Sequence, residues 1–420
     1  MYFSIKERTL GIFYNFTIYL AQFVLRVLSL FNAKIKLGVR GRKETFQKLK
    51  KAIQKNDKTL WFHCASLGEY EQGLPVFRVL KSQFPTHKIV LTFFSPSGYE
   101  IRKNTDIADI VVYLPLDSKH NAKHFLNIVN PELTIFVKYD IWPNYLKEVK
   151  KRNLKAILIS ALFRKDQSFF KFYGKGMREA LFAFEHIFTQ DNSSKELLES
   201  IHYNSVTISG DTRFDRVYNQ LKIDNTLDFV NTFKQNKLCV VAGSTWPEDE
   251  NLLIDFINNH QNDNVKFIIA PHNIKSNQIS KLKNSLNKKT ILFSEKDSND
   301  LSQYHVLIID TIGLLSKIYS YTNIAYVGGA IGNTGLHNTL EPAVFGVPII
   351  IGNHYEKFPE AKSMIKNQGM FSISNQGELN IILSDLITNQ TKREHSGRLN
   401  FAYIKKNKGA VIQIIDFLRK

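Results

Sequence analysis

The sequence predicts an α/β protein built from two doubly wound domains. From Thr59 onward, short β-rich runs alternate with amphipathic stretches of helical length, and the second half of the chain repeats this alternation. Strict alternation of strand and helix produces parallel sheets that are covered by helices on both faces. With 420 residues, the chain is too long for one ordinary core and suits two domains of roughly 150 to 200 residues each.

The β-rich runs and their connections define the predicted domains. In the first half the predicted strands are TLWFHCAS, KIVLTFF, DIVVYLP, LTIFVKYD, KAILISA, HIFTQD and SVTISG. In the second half they are KLCVVAGS, VKFIIAPH, HVLIID, TNIAYVGGA and VPIIIG. The strand rhythm breaks between Gly210 and Asp228. We therefore predict an N-terminal membrane-associated helix with a basic flank at 1–43, a first Rossmann-like domain at 44–215 and a second at 216–420. The last helix of the second domain is a candidate to pack back on the first.

Composition restricts the class of protein and its partners. Hydrophobic residues make up 43% of the chain and charged residues 22%, which excludes wholesale disorder. The formal charge of +18 implies an anionic partner, either nucleic acid, acidic lipid headgroups or a phosphorylated substrate. Cys64 and Cys239 lie far apart in apolar runs, so both are predicted to be reduced core residues.

The amino terminus carries a long apolar segment. Residues Gly11 to Phe31 are about long enough to span a bilayer, but Asn15, Gln22 and Arg26 interrupt the segment. The basic cluster that follows favours the cytoplasmic side and anionic lipid; it consists of Lys34, Lys36, Arg40, Arg42 and Lys43. No small-residue cleavage site is evident. Two alternatives stay open: a membrane anchor that spans or lies in the interface, or an apolar helix packed on the first domain.

Candidate functional residues of the first half follow predicted strands, where doubly wound sheets bind ligands. Glu69 stands at the first strand-to-helix turn. Partial desolvation in a cleft would raise its pKa and let it take a proton from a hydroxyl, although it could instead complement the helix dipole. Asp140, with Lys138 and Trp142, follows another strand and suits a polar ligand. Arg213 at the domain junction would either stabilise a departing phosphate or form an interdomain salt bridge.

The second half offers a nucleotide-type site. Ser244 and Thr245 precede a helix, so the hydroxyls and backbone N–H groups of that turn form a phosphate site, and Thr245 with Glu248 has the spacing of a capping box. His272 ends the next strand and is a ligand-binding candidate. In the glycine-rich segment from Gly328 to Gly352, glycines let the backbone approach a ligand.

Eight segments together resemble a known family. They are FHCASLGEYEQGLPV, LTFFSPSGYE, YLPLD, DIWPN, GDTRFD, GSTWPEDE, DTIGLL and GLHNTLEPAVFGVP. In this order they are similar to the motifs of the 3-deoxy-D-manno-octulosonic acid (Kdo) transferases of lipopolysaccharide biosynthesis. The resemblance implies a GT-B type glycosyltransferase, with two Rossmann-like domains that face a central cleft and an N-terminal membrane-associated helix. It also implies transfer of Kdo from CMP-Kdo to the lipid A precursor, lipid IVA, at the cytoplasmic face of the inner membrane.

The resemblance assigns roles to individual residues. The family's general base corresponds to Glu69, and the two residues that stabilise its transition state correspond to Asp140 and Arg213. Nucleotide contacts are expected, by the same resemblance, at Pro271, His272, Ile312, Gly313, Leu314, Asn338, Thr339, Leu340 and Glu341.

The sequence departs from the family pattern in two groups of residues. Around the reacting groups, Lys138 replaces an acid, Asp140 is one methylene shorter than the usual glutamate, and Arg213 replaces a lysine. Around the nucleotide, the departures are His272 for arginine, Leu314 for glutamate and Leu336 for glycine.

Chemistry and composition set the remaining expectations. No Asp-x-Asp or Cys/His cluster has metal-ligand spacing, so we predict that no metal or other cofactor is needed. In-line displacement of CMP would invert the anomeric centre. A nucleotide-sugar epimerase could share the fold but would need no membrane segment. A nucleic-acid-binding protein would interleave basic and aromatic residues on one face, whereas the lysines here are scattered over predicted helices, so no nucleic-acid partner is expected.

Overall fold

Two parallel sheets organise the chain, and each belongs to its own compact unit. The computed structural model describes residues 5–419, with side chains from residue 14 onward. The first four residues of the predicted N-terminal segment, and residue 420 of the predicted second domain, lie outside the described residues. One unit extends to Arg216 and includes the segment from Gly409 onward, and the other consists of Val217–Lys408.

The first unit contains a parallel sheet of seven strands in the order β3-β2-β1-β4-β5-β6-β7. Its strands are β1 (Thr59–Cys64), β2 (Lys88–Phe93), β3 (Ile110–Tyr113), β4 (Leu133–Val137), β5 (Lys155–Ala161), β6 (His186–Thr189) and β7 (Val206–Ile208). Its helices are α1 (Ile5–Leu28), α2 (Ala33–Ala52), α3 (Leu67–Gln83), α4 (Pro96–Arg102), α5 (Lys119–Val129), α6 (Pro143–Lys151), α7 (Lys175–Leu181), α8 (Asn192–Glu199), α9 (Thr212–Asn219) and α18 (Ala410–Leu418). Helix α9 begins in the first unit and ends in the second.

Both faces of this sheet are buried. Along β1, Leu60 and Phe62 pack into one hydrophobic cluster, while Trp61 between them packs into another on the opposite face. Ile414 and Ile415 of α18 join the Phe62 cluster. Successive side chains of a strand point to opposite faces, so a continuous apolar run such as TLWFHC can bury both sides.

The second unit contains another parallel sheet of seven strands, in the order β10-β11-β9-β8-β12-β13-β14. Its strands are β8 (Leu238–Thr245), β9 (Val265–Pro271), β10 (Thr290–Leu292), β11 (Val306–Ile308), β12 (Ile324–Val327), β13 (Ile349–Gly352) and β14 (Met370–Ile373). Its helices are α10 (Asp228–Lys234), α11 (Pro247–Asn259), α12 (Ser276–Asn284), α13 (Leu315–Ile318), α14 (Leu340–Ala343), α15 (Pro359–Lys366), α16 (Gln376–Thr388) and α17 (Gln390–Asn407).

The predicted fold class of two doubly wound parallel α/β domains is confirmed. Twelve of the strands coincide with predicted runs, and β10 and β14 are additional. These two strands have three and four residues and lie at the two edges of the second sheet. Runs this short carry too little apolar periodicity to be distinguished from loops in the sequence.

The amino-terminal helices differ in how they contact the first unit. The predicted basic flank is part of α2, which packs on β3: Thr45 donates its hydroxyl to the carbonyl of Tyr113 at 2.8 Å. Helix α1 is attached through Tyr14, whose hydroxyl donates to Asp117 Oδ2 at 2.8 Å. Among the helices that the structure describes, none is both long enough and apolar enough to cross a membrane.

Much of the apolar surface of α1 and of the following turn is exposed. The exposed side chains are those of Phe16, Tyr19, Leu20, Phe23, Val24, Val27, Leu28, Leu30 and Phe31. Exposed apolar patches of this extent mark interaction surfaces. The helix therefore both contacts the first unit and leaves an apolar face uncovered.

Candidate active site

The three predicted catalytic residues lie at the carboxyl edge of the first sheet. Glu69 follows β1 in the first turn of α3, Asp140 follows β4, and Arg213 follows β7 at the start of α9. Strands β1 and β4 are direct neighbours, with Phe62 paired to Ile135. The loops that carry Glu69 and Asp140 therefore leave the sheet side by side.

Glu69 is a buried carboxyl group with a pKa near neutrality. Only 8% of the residue is exposed. Burial is the main cause that raises its pKa to about 7, and the negative charge of Asp140 adds to the effect. The backbone N–H of Ala65, which donates to Oε2, and the charge of Lys138 oppose it. A carboxylate that only complemented a helix dipole would be stabilised in its charged form, whereas burial here favours the neutral form.

Asp140 is held by a chain of buried hydrogen bonds. His63 Nε2 lies 2.6 Å from Asp140 Oδ2, and His63 Nδ1 lies 2.8 Å from Thr92 Oγ1. The indole of Trp61 donates to Thr92 Oγ1 at 2.9 Å, and the indole of Trp142 donates to Asp140 Oδ2 at 2.8 Å. His63 and Thr92 are fully buried.

Several polar groups converge on this chain. An indole N–H only donates, so Thr92 Oγ1 accepts from Trp61. The indole N–H of Trp142 lies within hydrogen-bond distance of both Asp140 Oδ2 and His63 Nε2, at 2.8 and 2.9 Å, and the Thr92 hydroxyl also lies 3.3 Å from the carbonyl of Phe62. Both ring nitrogens of His63 thus have polar partners, and the ring links Asp140 to Thr92. Sequence reasoning missed His63; a histidine inside an apolar strand was the available signal, because buried polar groups require partners.

Arg213 is paired within its own loop. Its Nε donates to Asp211 Oδ2 at 2.7 Å, and its backbone N–H donates to Asp211 Oδ1 at 2.9 Å. The neighbouring Thr212 donates its hydroxyl to the carbonyl of Gln72 in α3. Since Gln72 lies three residues after Glu69, this bond ties the start of α9 to the helix that carries Glu69.

Asp215 has a structural role. Its carboxylate accepts the backbone N–H groups of Gly409 and Ala410 at 2.9 and 3.1 Å. These groups lie at the amino-terminal end of α18. The aspartate therefore caps the helix that completes the first unit.

Lys138 adjusts the acidity of Glu69. It follows β4 with φ +70°, and its charge lowers the pKa of Glu69. We expect Lys138→Gln to raise that pKa above the present value of about 7, which carboxyl ¹³C NMR titration of Glu69 would measure. Lys147→Gln removes the same charge at a position paired with Glu179 and serves as the control. An unchanged Glu69 titration in Lys138→Gln would contradict the assigned influence.

The turn predicted to bind phosphate in the second unit begins its helix later than expected. Strand β8 continues through Thr245, so α11 begins only at Pro247. The capping residue is Trp246, whose backbone N–H donates to Asp249 Oδ2 at 2.9 Å, and Thr245 donates its hydroxyl to Glu250 at 3.1 Å. The predicted capping box of Thr245 with Glu248 is therefore wrong by one residue. Ser244, with φ +54°, stays half-buried at the turn.

Three aromatic rings meet at the carboxyl edge of the second sheet. His272 stacks on Trp246 with ring centroids 4.6 Å apart, and it also lies 4.6 Å from the ring of His337. Trp246 donates its indole N–H to Nε2 of His337 at 2.9 Å. Gly329, with φ +95°, makes room for this arrangement, because a Cβ there would lie 3.0 Å from the His337 ring.

This contact fixes the protonation of His337. Since Nε2 accepts the indole proton, the neutral ring carries its own proton on Nδ1. Burial, followed by the nearby His272, lowers the pKa of His337 to about 4, and burial also lowers the pKa of His272. His337 therefore offers a neutral N–H donor at physiological pH. Sequence reasoning did not pair Trp246 with His337, because the two residues lie 91 positions apart.

The other predicted nucleotide contacts fall into accessible and buried groups. Ile312 is 81% exposed, and Gly313 has φ +92°, a conformation that favours glycine. Thr339 and Leu340 are buried, so neither residue is open to a ligand in this structure. Leu336, a departure from the family pattern, is also buried.

Two side chains donate hydrogen bonds to the carboxylate of Glu341. Asn338 donates its amide N–H to Glu341 Oε1 at 3.0 Å, and Ser316 donates its hydroxyl to Oε2 at 2.9 Å. Asn338 also accepts the backbone N–H of Leu340 at 3.1 Å. The carboxylate is thus oriented at the start of α14.

Comparison with known sequences identifies similar proteins. Residues 40–216 match the family described as 3-deoxy-D-manno-octulosonic-acid transferase (kdotransferase). The chain is 28% identical to a 3-deoxy-D-manno-octulosonic acid transferase of Haemophilus influenzae, over 86% of each chain. It is 26% identical to the transferase of that name from Aquifex aeolicus, over 85% of this chain and 95% of that one.

Comparison with solved structures identifies the fold. The chain is similar to UDP-GlcNAc 2-epimerase from Neisseria meningitidis, with TM-score 0.60 and 15% identity over 86% of this chain and 100% of that one. It is also similar to MurG from Acinetobacter baumannii, with TM-score 0.56 and 9% identity over 86% of this chain and 99% of that one. The predicted GT-B type of fold is confirmed.

Proposed function

We propose that this chain, which carries the Kdo transferase domain at residues 40–216 and is similar to Kdo transferases over most of its length, transfers Kdo from CMP-Kdo to a hydroxyl group of lipid IVA. The resemblance to this family, stated from the eight sequence motifs, is confirmed by these similarities. The observation that carries the proposal is Glu69, a buried carboxyl with a pKa of about 7 at the sheet edge.

In the proposed reaction, Glu69 acts as the general base. The acceptor hydroxyl gives its proton to the Glu69 carboxylate while its oxygen forms the new bond to the anomeric carbon of Kdo. The bond from that carbon to the phosphate oxygen breaks, and CMP leaves with the electron pair. In-line displacement of this kind inverts the anomeric centre. Asp140 and Arg213 are assigned to stabilising the charges that develop in the transition state.

The donor nucleotide is assigned to the second unit. The half-buried turn at Ser244, the rings of His272 and His337, and the oriented Glu341 lie beyond the carboxyl ends of its strands, where doubly wound sheets bind nucleotides. We propose that the reaction needs no metal or other cofactor, because arginine and N–H donors can stabilise a single leaving phosphate. Transfer is then expected to persist in excess EDTA.

The direct test supplies both substrates. Purified protein is incubated with lipid IVA and a system that generates CMP-Kdo, and the lipid products are analysed by mass spectrometry. We expect a product heavier than the acceptor by one or more Kdo residues. Folded protein that yields no Kdo-lipid would refute the proposed function.

His337 provides a test of the donor site. Its ring lies beside that of His272, and we expect its neutral Nδ1–H to donate to the phosphate of CMP. His337→Leu should weaken CMP binding about tenfold, the equivalent of one lost hydrogen bond to a charged group, and leave cytidine binding unchanged. His337→Asn places an amide N–H near the Nδ1 position and should restore part of the affinity. Isothermal titration calorimetry with CMP and cytidine measures both effects; equal losses for the two ligands would contradict the phosphate contact.

We also propose that the protein acts at the cytoplasmic face of the inner membrane, with α1 in the membrane interface. The exposed apolar side chains of α1 and the formal charge of +18 support this location, since an apolar helix face next to cations suits an anionic membrane surface.

A further inference from the structure

A basic pocket lies between the two amino-terminal helices. It has a volume of about 220 Å³ and is lined by α1, α2 and the segment after β3. Arg26, Arg42 and Lys43 contribute three cations to its wall, and none of its described lining residues is an aspartate or glutamate. None of the reacting groups assigned above belongs to this pocket.

Arg42 is the unusual member of this pocket. Its Nε donates to the carbonyl of Leu114 at 3.1 Å and its Nη2 to the carbonyl of Phe94 at 2.6 Å. The guanidinium also lies 4.4 Å from the centroid of the Phe94 ring. Arg42 is half-buried, and this burial lowers its pKa to about 10.

The cations of the pocket have no acidic partner in the part of the chain whose side chains the structure describes. Among the side chains described from residue 14 to 419, no carboxylate forms an ion pair with Arg42, Arg26 or Lys43. Burying a charge without a counter-charge is costly. An anionic ligand in the pocket would offset that cost, and Arg42 Nη1 has no acceptor among the described residues, so it remains able to donate.

The position of the pocket points to a lipid. Phe16, Leu20, Phe23 and Val27 recur every three or four residues, so they share one face of α1, and all four are exposed. Arg26 precedes Val27 and lies at the side of that face. If the apolar face enters the membrane interface, Arg26 on the same helix lies near the lipid phosphates.

We propose that this pocket binds the phosphate group of an anionic lipid, with Arg42 as its fixed donor and Arg26 and Lys43 closing around the ligand. The proposal rests on the interfacial location of α1 given under the proposed function. Arginine suits this task because its planar guanidinium offers several N–H donors to phosphate oxygens. The phosphate can come from a membrane phospholipid or from the phosphorylated lipid acceptor.

The first arm of the test measures vesicle binding. The double variant Arg26→Gln, Lys43→Gln is compared with Lys34→Gln, Lys36→Gln, which removes the same charge from the neighbouring exposed part of the chain. Cosedimentation uses vesicles of phosphatidylcholine with and without phosphatidylglycerol. If the bound phosphate belongs to a membrane phospholipid, we expect the pocket variant to lose about tenfold more affinity for the anionic vesicles than the control variant.

The second arm uses the acceptor in neutral detergent without phospholipid. If the bound phosphate belongs to the acceptor, we expect the KM of the pocket variant for lipid IVA to be severalfold higher than that of the wild type. With an acceptor that lacks the recognised phosphate, the two proteins should have the same KM. The inference would be overturned if the pocket and control variants had the same affinity for anionic vesicles and the same KM for lipid IVA. The vesicle arm needs no transferase activity, so failure of the proposed function and failure of this inference are distinguishable.

Discussion

Glu69→Gln is expected to lose nearly all Kdo transfer while keeping its affinity for CMP. A positioned general base contributes typically 10²- to 10⁴-fold to the rate, and glutamine cannot take up the acceptor proton. The variant keeps the size of the side chain and an oxygen that can accept the N–H of Ala65. Initial rates with lipid IVA and calorimetric titration with CMP measure the two properties. Full activity in the variant would remove Glu69 from the mechanism.

The same substitution is expected to stabilise the protein at alkaline pH. The pKa of Glu69 is raised from 4.5 to about 7 by folding. A raised carboxyl pKa means that the folded state holds its proton more tightly, so wild-type stability falls as pH rises from about 4.5 through 7. The glutamine side chain does not titrate, so the variant does not lose this stability as pH rises. We expect a gain of roughly 1 to 3 kcal/mol at pH 8 for Glu69→Gln, because one pKa unit corresponds to about 1.4 kcal/mol.

Urea unfolding at pH 5 and pH 8 tests this expectation. The difference between variant and wild type should be small at pH 5 and should grow toward pH 8. Glu179→Gln changes a half-buried carboxylate paired with Lys147 and controls for the loss of a negative charge. A gain that is equal at both pH values would show that the titration of Glu69 is not its cause.

His63→Phe is expected to impair catalysis through Asp140. The substitution removes both ring nitrogens, which lie 2.6 Å from Asp140 Oδ2 and 2.8 Å from Thr92 Oγ1. A buried polar group that loses its partner costs about 1 to 3 kcal/mol, so we expect kcat to fall roughly 10- to 100-fold. His63→Gln returns a donor near the Nε2 position and should recover part of the rate.

Two further measurements separate this positioning role from a general loss of stability. Trp61→Phe breaks only the far end of the chain, its bond to Thr92, and should lower kcat less than His63→Phe. A displaced Asp140 would also change the pKa of Glu69, because the Asp140 charge helps to raise it. If His63→Phe lowered stability and left both kcat and the Glu69 titration unchanged, the positioning role would be contradicted.

The sequence by itself determined the secondary structure and the order of the site-bearing loops. Hydrophobic periodicity is a local property, so runs such as TLWFHC and LTIFV already indicated buried parallel strands. Glu69, Asp140 and Arg213 were recognised because each follows a strand within a motif. The short edge strands β10 and β14 escaped this reasoning because three or four residues carry almost no periodic signal.

Only the tertiary structure decided which distant residues act together. His63 and Asp140 are 77 residues apart, and Trp246 and His337 are 91 apart, yet each pair shares a hydrogen bond. The raised pKa of Glu69 and the lowered pKa of Arg42 likewise depend on burial by segments remote in the chain. Desolvation and hydrogen-bond direction arise only when the chain is packed, so no local pattern of residues encodes them.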